Sequence, residues 1–245
     1  MKAYNEQIAK ELIELMRVRH SVRKYQDKPI EQESAKLVGT AFCDDFEMID
    51  LTNEYQQFMS ALTLGKNLDE IDVNSHDFKI RGGNIKARMR MMFLRDVTQE
   101  NHGLMVDNSN WTERMLGFFT VSDNGDISPM MCLTKTEVYE VALTLSKNYA
   151  DIDKRQSQAI DFSISLTPTD GLGISNSDLE QIGAESYEQV DKILIGLKLE
   201  DEGTSYWEDE YEKLCEQFTK KVVDNVWNRH KRSQYKRNNL PIRMC

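Results

Sequence analysis

GGNIKARMRMMFLRDVTQENHGLMVDNSNWTERMLGFFTVSDNGDISPMMCLTKT, residues 82–136, is the stretch whose reading decides the fold. A Gly82-Gly83-Asn84 turn opens a basic, Met-rich helix. The apolar run Gly103-Leu104-Met105-Val106 then reads as a strand that empties into a polar loop, 107–112, and a second helix begins near Glu113. A strand running into a polar loop and a helix N-terminus is where open α/β sheets bind phosphates. Nucleotide chemistry is therefore the first expectation.

Composition bounds the alternatives. The chain has 245 residues, enough for one large or two small domains, and a formal net charge of -10. That charge offers no global attraction to nucleic acid or to an anionic membrane, so neither is expected as a partner. Basic residues cluster locally at 79–95 and 229–243, a pattern suited to a small anion. The four cysteines, Cys43, Cys132, Cys215 and Cys245, show no zinc or redox spacing and read as unoxidised thiols of a cytoplasmic protein. No apolar run approaches the roughly 20 residues that cross a bilayer, and no signal-peptide core opens the chain.

Outward from the central stretch, residues 34–42 read as a short helix, 46–51 as a strand and Thr52 as the start of another helix. Residues 65–81 read as a polar loop. Ile85, Met89, Met92 and Phe93 form the expected buried face of the central helix. Thr134 starts a helix with Val138, Val141, Ala142 and Leu145 inward, and 148–161 reads as a charged connector. Residues 163–177, rich in Ser, Thr, Gly and Pro, form a long loop of the kind that carries function. Short helices follow at 178–182 and 187–194, then one long helix at 207–231 with a basic tail.

Two resemblances stand on these residues. The run Arg17-Val18-Arg19-His20-Ser21-Val22-Arg23-Lys24-Tyr25, with Lys28-Pro29-Ile30, resembles the opening of flavin-dependent nitroreductases over about residues 8–31. There it implies an FMN phosphate held by Arg19, Ser21 and Arg23, with His20 departing from the usual arginine. The resemblance stops there, and so few residues cannot enclose a flavin; FMN is not expected.

Residues 33–237 resemble the ammonia-dependent NAD synthetases of the ATP-pyrophosphatase group. The matching pieces are GNIKARMRM (83–91), MLGFFT (115–120), LTKTEVY (133–139), PTDGLGIS (168–175), DLEQ (178–181) and SYEQVDKIL (186–194). The resemblance implies a helix-rich α/β fold with an open parallel sheet of the adenine nucleotide alpha hydrolase-like type. It also implies a ligase of NAD biosynthesis: ATP adenylates the nicotinate carboxylate of deamido-NAD, and ammonia displaces AMP. Glu113 matches the magnesium carboxylate, although an acidic residue in a first helical turn also suits the helix dipole. Lys135, Thr169 and Asn108 match ATP contacts, and Arg88, Asp126, His230 and Lys231 match deamido-NAD contacts. A homodimer and cytoplasmic localisation are implied as well.

The departures are specific. Asp107 and Asn108 stand where the family usually has Gly-Thr, Val121 replaces a lysine, and the Gly-Asp-Gly loop is shortened to 122–126. The Ser-Gly-Gly-x-Asp-Ser loop that cradles pyrophosphate occurs nowhere in this sequence, so the first strand of the sheet is expected to be missing. Residues 1–32 thus read as a basic extension and 33–245 as the synthetase-like domain. Three functions remain open at this stage: a synthetase, a non-catalytic dinucleotide-binding or mixed-dimer relative, and an FMN-binding fragment.

Overall fold

A computed structural model describes residues 29–63, 72, 74–170, 174–200, 202–237 and 242–243. The nitroreductase-like run at 17–28 lies outside the described residues. Helices dominate: α1 (Pro29–Phe42), α2 (Thr52–Thr63), α3 (His76–Glu100), α4 (Trp111–Leu116), α5 (Lys135–Tyr149) and α6 (Lys154–Ser165). They continue with α7 (Asp178–Ile182), α8 (Tyr187–Leu199), α9 (Ser205–Phe218), α10 (Lys220–Arg232) and α11 (Gln234–Arg237). Two short strands, β1 (Ile127–Ser128) and β2 (Ile242–Arg243), pair in parallel with Ile127 opposite Ile242. Val106 adds a parallel bridge to Ile127. Among the described residues no helix is long and apolar enough to cross a membrane.

Contacts divide the chain into two compact units. One takes the residues up to Asp72 and Glu140–Leu166. In it α1 packs on α6, with Phe42 edge-on to Tyr149 and the Gln156 amide donating to the Ala41 carbonyl at 2.9 Å. The expected strand at 46–51 is irregular, and no described segment of this unit pairs with it. The expected connector at 148–161 instead contains α6, capped by Asp153, which accepts from the Arg155 and Gln156 amides. Its buried face is Ser157 and Ala159, too small and too polar to register as an apolar stripe.

The second unit, Val73–Tyr139 with Thr167–Cys245, carries the main core. Val190, Ile193, Leu194 and Leu197 repeat at i, i+3, i+4 and i+7 on α8, and Val223, Val226 and Trp227 follow the same helical period on α10. These faces meet one another and Leu214 of α9, with Met115 and Leu116 of α4 closing the cluster. Each of the fully buried aliphatic side chains contributes roughly 1.5–3 kcal/mol by leaving water. Ser177 and Ser186 cap α7 and α8 by accepting the Glu180 and Gln189 amides.

Several expected boundaries move. The helix read as opening at Gly82 starts six residues earlier, where Ser75 accepts the Phe78 amide, and it runs through both glycines, of which Gly82 is buried. Of its expected buried face, Met92 is 71% exposed and Ala87 is the deeply buried apolar residue. Gly103–Val106 contributes one bridge rather than a strand. On α5, Val141 is exposed rather than inward. The expected single helix at 207–231 breaks at Thr219, whose φ of 72° no helix can accommodate. Cys43 and Cys215 stand outside any disulfide, as expected, but Cys132 is disulfide-bonded.

Candidate functional site

The site grows from the short helix α4. Asn110 caps it: its side-chain oxygen accepts the Glu113 amide at 2.9 Å while Glu113 Oε2 accepts the Asn110 amide at 3.1 Å. This reciprocal capping box fixes the Glu113 carboxylate at the first turn. Thr134 and Glu137 bind each other in the same way at the start of α5, which places Lys135 at its first position. The two helix starts then face each other, and Lys135 Nζ donates to Glu113 Oε1 at 2.7 Å.

A buried polar post holds this arrangement. Asp191, 4% exposed on α8, accepts from Thr112 Oγ1, from the Thr136 amide at 2.9 Å and from Thr136 Oγ1 at 2.6 Å. Thr112 Oγ1 in turn accepts the Lys135 amide at 2.9 Å. One carboxylate thus locks both helix starts to the core helix.

Around the ion pair stand two aromatic rings and a second carboxyl. Lys135 Nζ lies 5.5 Å from the centre of the Tyr187 ring and 6.0 Å from that of Tyr139. The Tyr187 hydroxyl donates to Asp178 Oδ2 at 3.4 Å. Asp178 is 8% exposed, and among the described residues its other oxygen, Oδ1, has no hydrogen-bond partner. Burial, reinforced by the negative charges of Asp170 and Glu113, pushes the Asp178 carboxyl above the usual carboxylate range. Burial also raises the Tyr187 hydroxyl, helped by Asp178.

A charged network flanks the site. Asp107 and Arg114, both almost fully buried, form an ion pair, and Arg114 Nη1 also donates to Asn124 Oδ1 at 2.6 Å. Burial pulls the Arg114 guanidinium below its ordinary pKa. Arg95 pairs with Asp126 and donates to the Asn124 carbonyl at 2.9 Å. Burial opposes ionisation of Asp126, but the hydrogen bonds from Arg95 and the Met105 amide hold its carboxyl below the usual range. Gly125 is required here: a Cβ would come within 2.5 Å of the Asp107 backbone nitrogen. Burial raises Asp123 to about 6 despite nearby Arg90, Arg114 and Arg88.

Of the residues singled out in the sequence, the structure brings Glu113 and Lys135 into direct contact. Thr169 and Asn108 are exposed on loops. Arg88 is exposed and donates through Nε to the Val121 carbonyl at 3.3 Å. Asp126 belongs to the flanking network rather than to the ion pair. His230 is buried, stacked on Trp227 at 4.8 Å, with Nδ1 3.0 Å from the Met115 carbonyl oxygen. Lys231 pairs with Glu202 at 2.9 Å on the surface. Sequence reading missed Asp191, Asp178 and Tyr187. An acid inside the apolar run 190–197 was the available signal for Asp191; nothing local distinguished the other two.

These features define a helix-rich α/β protein in which a carboxylate–lysine pair stands between two helix starts, walled by tyrosines. The chain belongs to the NAD synthase family, whose model matches residues 7–240. The match runs through the stretch at 8–31 that resembles a nitroreductase opening. An NH(3)-dependent NAD(+) synthetase of Thermoplasma acidophilum is 36% identical over 136 residues, covering 55% of this chain and 50% of that protein. One of Thermococcus kodakarensis is 30% identical over 217 residues, 86% of this chain and 72% of that protein. Among solved structures, the NMN synthetase of Francisella tularensis superposes with a TM-score of 0.60 at 19% identity, covering 92% of this chain and 76% of that one. The chain therefore has the ATP-pyrophosphatase-type α/β fold, and the alignment spans half of the Thermoplasma relative's length.

Proposed function

We propose that this chain is a ligase of NAD biosynthesis that amidates deamido-NAD with ammonia at the expense of ATP. The observation that carries the reading is the Glu113–Lys135 pair, a carboxylate and an ammonium joined at 2.7 Å between two helix starts. Family membership supplies the substrates.

In this reading Glu113 is the magnesium carboxylate. Among the described residues no group of three metal-ligating side chains exists. Magnesium nevertheless binds habitually through one or two carboxylates plus substrate phosphates and water, so a single carboxylate here fits it. Bound with the nucleotide, magnesium neutralises phosphate charge. Lys135 contacts the ATP phosphates once it leaves Glu113, placing a cation where negative charge builds up during adenylyl transfer. Asp191 and Thr112 keep the Lys135 backbone in place while its side chain exchanges partners. Asn108 and Thr169 complete the ATP contacts, and Arg88, Asp126, His230 and Lys231 are the deamido-NAD contacts of this reading. The buried position of His230 restricts it to a supporting role unless the tail rearranges.

The protein works as a cytoplasmic homodimer in this account. A second reading, a non-catalytic relative that binds a dinucleotide or joins a mixed dimer, is favoured by one observation: the sequence holds no Ser-Gly-Gly-x-Asp-Ser run. Pyrophosphate release from ATP decides between them. The ligase reading expects release that depends on deamido-NAD and magnesium and is lost in Glu113→Ala. Dinucleotide binding without any pyrophosphate release establishes the second reading instead.

A further inference from the structure

Cys132 is disulfide-bonded, whereas Cys43 and Cys215 stand free. The sequence holds four cysteines, so Cys245 is the one left to bond Cys132 within the chain. Strand register supports this pairing independently. β2 runs parallel to β1 with Arg243 opposite Ser128, and each strand leads toward its cysteine, Cys132 a turn beyond Ser128 and Cys245 just beyond Arg243.

The turn that carries Cys132 feeds the site. In it the Met131 amide donates to the Ser128 carbonyl at 3.3 Å and the Leu133 amide to the Met130 carbonyl at 3.0 Å. The Leu133 carbonyl then accepts the Trp111 amide at 2.8 Å, at the start of α4. Thr134 caps α5 directly afterwards and places Lys135. A tether at Cys132 therefore acts on both helix starts, those that present Glu113 and Lys135. Cys132 is exposed although the preceding Met131 is buried, so its sulfur is open to a thiol in solution.

Lys236 fastens the tail to the Gly117 and Phe119 carbonyls at 2.7 and 2.8 Å, and Arg237 fastens it to the Met115 carbonyl at 2.8 Å. Further on, the pairing of β2 with β1 is two residues long. So short a ladder is marginal by itself, and chain ends fray unless they are tied down. A covalent bond supplies what the ladder lacks.

We propose that the Cys132–Cys245 disulfide is a reversible redox latch that pins the C-terminal segment to the turn feeding Lys135 and opens under a dithiol reductant. In opening, a thiolate of the reductant attacks one sulfur and the protein's S–S bond breaks to a mixed disulfide. The reductant's second thiol then displaces the protein sulfur, leaving two protein thiols and an oxidised, disulfide-bonded reductant. A small-molecule disulfide runs the same two-electron exchange in reverse and closes the latch. Exposed disulfides are the labile, regulatory ones, and those of reducing compartments serve redox sensing. The latch does not depend on the ligase reading.

The test uses the whole chain, reduced with dithiothreitol and reoxidised with oxidised glutathione. Thiol titration after denaturation should count the Cys43 and Cys215 thiols alone in the oxidised chain and all four cysteines in the reduced one. Reduction should lower the melting temperature by at least about 5 °C. It should also speed amide hydrogen exchange across residues 129–136 by at least about tenfold. Reoxidation should reverse both changes. Cys132→Ser and Cys245→Ser should resemble the reduced wild type and ignore the reductant, whereas Cys43→Ser should respond as wild type does. Four thiols in the oxidised chain, or a reductant response that survives in Cys132→Ser, overturn the latch. A melting shift with unchanged exchange at 129–136 would make the bond a plain staple and overturn its link to the site.

Discussion

Replacing Lys135 by methionine should make Glu113 a better metal ligand in the absence of nucleotide. In the free chain both Glu113 oxygens are engaged, Oε1 by Lys135 Nζ at 2.7 Å and Oε2 by the Asn110 amide at 3.1 Å. A metal must therefore displace Lys135 or share the carboxylate with it. The side chains of Lys135 and Glu113 are 15% and 23% exposed, so the pair is partly withdrawn from water. Hydrogen bonds to charged groups contribute about 1.5–3 kcal/mol net, and residual solvent screening argues for the lower part of that range. About 2 kcal/mol corresponds to roughly thirtyfold in affinity. Methionine is similar in length and removes the charge that lies 5.5 Å and 6.0 Å from the Tyr187 and Tyr139 ring centres. Manganese, titrated without ATP and followed by the paramagnetic resonance of the free ion, should bind Lys135→Met about thirtyfold more tightly than wild type. Glu113→Gln in the same background should abolish the gain. Equal or weaker manganese binding by Lys135→Met would refute the idea that Lys135 masks the metal carboxylate.

Other perturbations follow from the same packing. Asp191→Ala strips the acceptor from Thr112 Oγ1 and from the Thr136 amide and hydroxyl. At about 1–3 kcal/mol for the buried Thr112 hydroxyl and less for each of the two partly buried Thr136 donors, urea unfolding should show a loss of roughly 3 kcal/mol. Asp107→Ala leaves Arg114 charged and buried, and a loss of about 3–5 kcal/mol is expected, whereas Asp107→Asn should be milder. A change under about 1 kcal/mol in either alanine variant would contradict the described burial. His230 is held neutral, its pKa pushed down to about 4 by burial and by neighbouring Arg237. The unfolded chain takes up that proton near pH 6.5 but the folded chain only near 4, so stability should fall as pH drops between these values, by up to roughly 3 kcal/mol. His230→Gln should remove that part of the acid sensitivity. Asp123, raised to about 6, works in the opposite direction over an overlapping range, so the difference between wild type and His230→Gln is the quantity to compare.

The parts of this architecture that were legible in the sequence are those written locally. Ser177 and Ser186 announce α7 and α8 because an N-cap is a short-range signal, and the i, i+3, i+4, i+7 apolar spacing gives the core face of α8 directly. Glu113 and Lys135 are each singled out by resemblance, but their contact spans 22 positions and no periodicity contains it. The break at Thr219 was invisible because threonine seldom adopts positive φ, and tertiary packing imposes it. The opening of α3 was misplaced because a Gly-Gly pair reads as a turn, whereas burial of Gly82 shows a helix packed closely at that point. Strands suffered most, since their hydrogen-bond partners lie far along the chain: Ile127 pairs with Ile242. Asp178 and Tyr187 were unreadable as site residues for the same reason, as only the fold brings them beside Lys135.

The central claim is that this chain joins ammonia to deamido-NAD at the Glu113–Lys135 site. Its most direct test is mass spectrometry of NAD formed from deamido-NAD, ATP, magnesium and nitrogen-15 ammonium by the purified chain. The account predicts NAD carrying the heavy nitrogen, with the signal lost in Glu113→Ala and Lys135→Ala variants that remain folded. No labelled NAD from a folded wild-type sample, or undiminished labelling in both variants, would contradict it.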